Sequence, residues 1–311
     1  MMLYIFGPVP SRRLGLSLGV DLVPHKTCTF DCLYCEVGRT TNRTIIGSPL
    51  APVDEILRQL DKRLTECTPD VITLAGSGEP TLHSEIDHII SGIRELTDTR
   101  IVILTNGSLF WDEAVRKRVL GADLIMPTLS SAVSRTFQTI HRPHGDLALD
   151  RIVNGLRQLR MEFEGLIYLE VILLSGLNDT DEEMRALKPL IQEIQPEKIQ
   201  LNTVVRPPAD PCAKALDRKR LKEIKLFLGE RAEIVVDIGA EKGGMKPDKK
   251  GEGLLEMVRR RPLRIKDMAN SLGLSIDEVE SMVKGLLIKG YLRRQDHSGE
   301  IFYMSNEMDR G

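Results

Sequence analysis

Short, largely apolar runs recur along this chain, and each gives way to a stretch whose apolar residues return every three or four positions. VITLA (71–75), IVILT (101–105), ADLIMP (122–127), LIYLEVILL (166–174) and KIQLN (198–202) are runs of the first kind. Such runs suit strands covered on both faces, as in a parallel sheet. SLGVDLV (17–23) alternates instead and reads as the first strand, with Leu18, Val20 and Leu22 on one side. The intervening stretches read as helices. One places Val53, Ile56, Leu57, Leu60 and Leu64 on a single face; another follows Ser84 as a cap and buries Ile86, Ile89, Ile90 and Ile93. Further helices are expected from near Ser131, over 150–159, over 181–194 and, with a basic face, over 218–228. EIVVD (233–237) is a last short strand. Strand–helix alternation of this kind demands an α/β fold. Each strand run also ends in glycine or polar residues: GSGEPT, TNGS, PTLSS, LSGLND, QLNT. In barrels the carboxyl ends of the strands build the active site, so the expectation is a partial (β/α)6 TIM-type barrel.

The last seventy residues follow another pattern. KGGMKPDKKGE (242–252) is rich in glycine and lysine and reads as a linker. Helices are expected around 254–261, 265–272 and 276–289, then a hairpin turning at His297, Ser298 and Gly299. That order is winged-helix order. The expected domains are a barrel over 1–241, the linker, and a winged-helix-like domain over 253–311. No internal repeat or low-complexity tract is present. A formal net charge of -2 implies no global pull toward nucleic acid or membrane. No apolar run approaches the roughly 18 residues of a membrane span. Arg12 and Arg13 follow the apolar start MMLYIFGPVP where a secretion signal would have them first, so a cytoplasmic protein is expected.

Three of the five cysteines fall in HKTCTFDCLYCEVG, spaced Cys-x3-Cys-x2-Cys. Clustered thiols in a reducing compartment are metal ligands more often than disulfides. Three thiolates, from Cys28, Cys32 and Cys35, can hold three irons of a [4Fe-4S] cube and leave the fourth open. The alternative is a closed zinc site completed by His25. Cys67 and Cys212 read as free thiols.

The pattern Cys28, Cys32, Tyr34 and Cys35, lying just after the first strand, resembles the signature of the radical S-adenosylmethionine (SAM) superfamily. GPVPSRRLGLSLGVDLVPHKTCTFDCLYCEVG is similar to the wyosine-synthase-like radical SAM oxidoreductases, and the likeness runs from Gly7 to about Asn202. The resemblance implies a [4Fe-4S] cluster, S-adenosylmethionine chelated at the open iron, and a 5′-deoxyadenosyl radical that takes hydrogen from a substrate. It implies a reductant such as flavodoxin or ferredoxin. It also implies cofactor contacts from Tyr34 beside the adenine and from the loop Gly76, Ser77, Gly78 and Glu79 around the SAM amino group. Asn106 and Ser130 would serve the methionine carboxylate and ribose; Glu170, Ser175 and Asn178 the ribose; Gln200 and Asn202 the adenosine. Gly76 and Gly78 are equally readable as turn residues, Asn106-Gly107 as a turn pair, and Ser130-Ser131 as a helix cap. No cysteine precedes Cys28, unlike the archaeal tRNA-modifying members, so a tRNA substrate is not carried over. Glycyl-radical activation and a metal-sensing winged-helix regulator are the other readings.

Two polar knots, His141–His144 and Arg206–Pro208, are expected at the barrel mouth, Arg142 as a solvent-exposed loop charge and Arg206 as a candidate for anions. Arg12 and Arg13 are expected at the opposite end of the barrel from the cysteines. In the last module ten Lys/Arg balance ten Asp/Glu over 251–311, and its candidate recognition helix opens with acids, SIDEVE. A protein-contact, lid or scaffold role is favoured over nucleic-acid binding.

Overall fold

The computed structural model describes residues 3–235 and 250–306. β1 (Ile5–Ser11) and β2 (Gly15–Val20) form an antiparallel hairpin, and β3 (Thr27–Cys28) pairs briefly with β4 (Asn42–Arg43) in the loop that follows. Then come β5 (Val71–Leu74), β6 (Arg100–Thr105), β7 (Leu124–Pro127), β8 (Leu166–Leu173), β9 (Lys198–Thr203) and β10 (Ala232–Ile234). They join in one open sheet, β1-β2-β5-β6-β7-β8-β9-β10, parallel from β2 onward. The helices between are α1 (Val53–Leu64), α2 (Ile86–Leu96), α3 (Glu113–Val119), α4 (Ser134–His141), α5 (Leu149–Glu162), α6 (Asp181–Ile194) and α7 (Arg218–Leu228). The partial barrel expected from the sequence is present, with one extra strand at each edge.

Alternation along each strand divides the molecule into an outside and an inside. Ile72, Leu74, Ile101, Ile103, Ile125, Ile167 and Leu169 face the helices and pack on Ile56, Leu60, Ile89, Ile93 and Leu156. Truncating one of these, Ile103→Ala for example, costs about 2–5 kcal/mol. The opposite face carries a small apolar cluster, Val71, Val102, Leu124 and Met126, and beyond it polar side chains. Asp112, Thr180 and Asp217 cap α3, α6 and α7 by accepting backbone N–H groups.

Four local expectations change. Strand β1 was not expected, because Pro8 and Pro10 argue against a strand; it survives as an edge strand with an irregular register between Phe6 and Val9. α3 was missed because only Val115 and Val119 and the contact side of Arg116 are buried in its two turns. Helix α2 starts after Glu85, so Ser84 lies in the preceding turn and does not cap it. β2 stops at Val20, where the chain turns so that the Asp21 carboxylate accepts from Ser77.

The C-terminal module contains α8 (Lys250–Arg260), α9 (Ile265–Leu272), α10 (Ile276–Ile288) and a hairpin of β11 (Leu292–His297) and β12 (Glu300–Ser305). Ser298 and Gly299 make the turn, both at positive φ, which gives the twist a two-residue hairpin needs. Residues 242–249 of the expected linker lie outside the described residues, and 250–252 open α8. Leu254, Val258, Leu263, Met268, Leu272, Val279 and Val283 form the module's own core, and Val9 of β1 belongs to it. Helices α8 and α9 therefore cover β1, which shields an otherwise unpaired strand edge. Among the described residues no helix is long and apolar enough to cross a membrane.

Candidate metal centre

The loop after β2 carries Cys28, Cys32 and Cys35, all free and partly buried. It is stitched to the loop after β5: Lys26 N–H donates to the Ser77 carbonyl (2.8 Å) and Glu79 N–H to the Thr27 carbonyl (3.1 Å). Gly78 makes this approach possible, since a Cβ there would sit 1.7 Å from the Thr27 carbonyl oxygen. Gly76 lies against Asp21, whose carboxylate accepts from Ser77 N–H (3.1 Å) and Oγ (2.5 Å). Glu79 is buried, and its carboxylate accepts from Thr81 N–H and Oγ, Thr105 Oγ1 (2.6 Å) and Asn106 N–H (2.7 Å). Burial raises its pKa against those donors. Asn106 Nδ2 donates to Thr29 Oγ1 (2.7 Å) and lies 3.5 Å from Cys28 Sγ.

Burial, then the neighbouring Glu79, pushes the Cys28 thiol up to about 12. Cys32 and Cys35 are raised as well, foremost by burial, and the sulfurs of Cys28 and Cys35 also raise Cys32. Backbone amides counter this at Cys28 (Thr29, Phe30) and at Cys35 (Val37, Gly38). Such a pocket holds thiolates only with a cationic group among them, and its amides already point at the sulfurs. Among the described residues no three His, Cys, Asp or Glu side chains converge on one ion. A cube spreads three cysteines over three corners, so the donor set fits a cluster better than single-ion zinc. His25 is not the histidine at the thiols; its charged neighbours are Lys26, Asp21 and Arg260.

His141 takes that place. Its Nδ1 lies 3.5 Å from Cys32 Sγ and 3.1 Å from the Tyr34 hydroxyl, and its ring packs on Phe30, Phe137 and Tyr34. Burial lowers its pKa to about 3, so it is a neutral ring. The expected mouth-facing knot is thus corrected: His141 is buried, and Arg142 pairs with Asp210 (2.5 Å) and Asp31 (3.6 Å). Nothing in the sequence pattern distinguished His141 from a loop residue.

The other expected positions separate into two groups. Glu170 faces the inside of the sheet, where its carboxylate accepts from Arg13, Asn202 (3.2 Å) and Thr128 (3.2 Å); Asn202 in turn accepts from Arg12 (3.4 Å). Arg12 and Arg13 therefore reach into the barrel from the β1–β2 turn, which corrects their expected place at its far end. Tyr34 is near enough to Glu170 to feel its charge. Ser130 and Asn178 are instead locked into the scaffold. Ser130 Oγ accepts from Ile172 N–H (2.9 Å), and Asn178 bonds the Ser130 and Ile172 carbonyls and Leu174 N–H. Ser175 is exposed. Gln200 donates to Glu233 (2.8 Å), and its buried Oε1 has no partner among the described residues.

A loop of three partly buried thiols at the carboxyl end of the first parallel strand of an open α/β barrel defines an iron–sulfur enzyme of the radical type. The family model of the radical SAM superfamily matches residues 22–187, just over half of the chain, and the chain belongs to that superfamily. Its cofactors are a [4Fe-4S] cluster and S-adenosylmethionine. The UPF0026 protein of Methanocaldococcus jannaschii is 32% identical, over 99% of this chain and 98% of that one. A protein of Brachyspira hyodysenteriae named GTPase Obg is 35% identical, but this chain spans only 45% of its length. No G-x4-G-K-[ST] phosphate loop occurs here, so that name's activity has no support in these residues. Among solved structures, a radical SAM methyltransferase from Sphaerobacter thermophilus superposes with a TM-score of 0.56 at 17% identity, covering 70% of this chain and 66% of that one. Peptide-bound SuiB from Streptococcus suis superposes with 0.54 at 14% identity, covering 71% and 49%. At these identities the likeness concerns the fold.

Proposed function

We propose that Cys28, Cys32 and Cys35 hold the cluster and that the chain initiates hydrogen abstraction on a small-molecule substrate, with a flavodoxin- or ferredoxin-type reductant. The single observation that carries this reading is the geometry of the thiols: three partly buried cysteines on one loop, with backbone amides at Cys28 and Cys35. When bound, the cluster and SAM together supply a carbon radical able to take hydrogen. The chain's own part is positioning. The Gly76–Gly78 loop, pinned by Asp21 and by the cysteine loop, offers backbone groups beside the thiols. Glu79 is spent on Thr81, Thr105 and Asn106, so its role is to fix that loop. Glu170 and Asn202, held by Arg13 and Arg12, present polar groups across the interior. Tyr34 and His141 close the pocket on the Cys32 side and keep water from the sulfurs. The last module has the element order of a winged helix; its balanced charge and its cover over β1 favour a scaffold role.

The test is anaerobic reconstitution, reduction with dithionite in the presence of SAM, and assay for 5′-deoxyadenosine. About four irons per chain and 5′-deoxyadenosine formation are expected. Stoichiometric zinc, or an intact cluster that leaves SAM uncleaved, overturns the reading.

A further inference from the structure

The residue that closes the Cys32 side of the pocket is held more firmly than a space-filler needs. His141 ends α4 and is almost wholly buried, 1% exposed. Its carbonyl accepts from Asp31 N–H (3.0 Å), and the Ile140 carbonyl accepts from Leu33 N–H (2.9 Å). The last turn of α4 is thus laced by backbone to the two residues that flank Cys32. The imidazole lies among the rings of Phe30, Phe137 and Tyr34, with centroids between 5.0 and 5.7 Å away. Ring packing and backbone together fix Nδ1 at 3.5 Å from Cys32 Sγ and 3.1 Å from the Tyr34 hydroxyl.

The surroundings decide which nitrogen carries the proton. Nε2 is buried and has no hydrogen-bond partner among the described residues. A proton there would be a buried donor with nothing to receive it, the costlier kind of orphan, whereas Nδ1 faces two acceptors. The proton therefore sits on Nδ1, and a shared N–H reaches the Cys32 sulfur and the Tyr34 oxygen. An electron added to an iron–sulfur cluster puts more negative charge on its sulfurs. A hydrogen bond to a ligating sulfur therefore favours the reduced form and raises the reduction potential. At Cys28 and Cys35 backbone amides are placed to do this. At Cys32 a side chain is, and a side chain can be replaced.

Resting on the radical SAM reading, we propose that His141 is a positioning residue for the cluster: its Nδ1–H donates to the Cys32 thiolate, orients that ligand and makes the cluster easier to reduce. Tyr34 shares the same N–H and keeps the imidazole from turning away. A ring that only filled space would leave the electron equilibrium where it is.

The test is a redox titration of the full reconstituted chain without SAM, with the reduced cluster read by electron paramagnetic resonance. His141→Phe keeps an aromatic ring among Phe30, Phe137 and Tyr34 but has no donor. At the potential that half-reduces the wild type, it should show an about tenfold lower ratio of reduced to oxidised cluster, which is about 59 mV for one electron. His141→Asn places an amide N–H near the position of Nδ1 and should recover part of that shift. Iron content and unfolding midpoints confirm that each variant is loaded and folded; if His141→Phe is not, His141→Leu is titrated in its place. A wild-type potential in the loaded donor-free variant, or no recovery in His141→Asn, overturns the proposal. A second readout needs no variant. In the reduced wild type labelled with nitrogen-15 histidine, pulsed resonance should detect an imidazole nitrogen coupled to the cluster, and its absence also overturns the proposal. The wild type is assayed in parallel with SAM for 5′-deoxyadenosine. SAM cleavage with unshifted potentials sinks this inference alone, whereas shifted potentials with SAM left intact sink the radical reading alone.

Discussion

The thiol pocket and the seam where the C-terminal module meets the barrel are separated by little more than Glu36 and Val37, yet they are built on opposite principles. The pocket is short of positive charge: its thiols are pushed toward the protonated form, His141 is neutral, and the nearest carboxylate, Glu79, is buried. The seam between barrel and module gathers five arginines and Glu36 among its described lining residues. The pocket is assembled from loops within the barrel, each tied to the next by backbone hydrogen bonds. The seam exists only because the module docks on β1. Local connectivity therefore makes a rigid donor set, and long-range docking makes an adaptable, charged wall.

Breaking the pocket should have the largest effect. Cys28→Ala, Cys32→Ala or Cys35→Ala should each leave fewer than about half the irons bound and no detectable 5′-deoxyadenosine, read by iron analysis and chromatography. Next, Glu79→Ala strips the acceptor from Thr81, Thr105 and Asn106 and should cost about 2–4 kcal/mol in denaturant unfolding. On the seam side, Arg260→Ala removes a side chain that stacks on Phe6 (4.5 Å) and donates to the Leu3 carbonyl (2.8 Å). It should cost about 1–2 kcal/mol and speed amide exchange in β1 more than in β6. The smallest effect is expected from Asp210→Asn. Hydrogen bonding from Arg142 holds the Asp210 carboxyl at about 2, below its ordinary value, so its stabilisation is present at neutral pH and lost as pH falls through that value. The variant should be about 1 kcal/mol less stable at pH 7 and should converge on the wild type only below about pH 2, by calorimetry.

Much of the barrel was legible because β5, β6, β7 and β8 are apolar runs and the helices between them have clean buried stripes. The thiols were legible because their spacing is local. What escaped depends on contacts distant in sequence. β1 is disguised by two prolines that a sheet tolerates only at an edge. The partners Arg13–Glu170 and Arg12–Asn202 lie more than 150 residues apart, and no periodicity encodes them. His141 reaches Cys32 only because β7 and α4 carry it there, and Arg261 meets Arg12 only after the module has folded. Ser130 and Asn178 were expected at the cofactor from the resemblance alone, and their bonds to the backbone of Ile172 and Leu174 could not be read from local sequence.

Val9 precedes the side chains it packs among, from Leu254 to Leu292, by more than two hundred residues. During synthesis the hairpin edge must wait, uncovered, through more than two hundred residues before its partner leaves the ribosome. Closure of that edge of the barrel is thus a contact of very long sequence separation, the kind that forms late in folding.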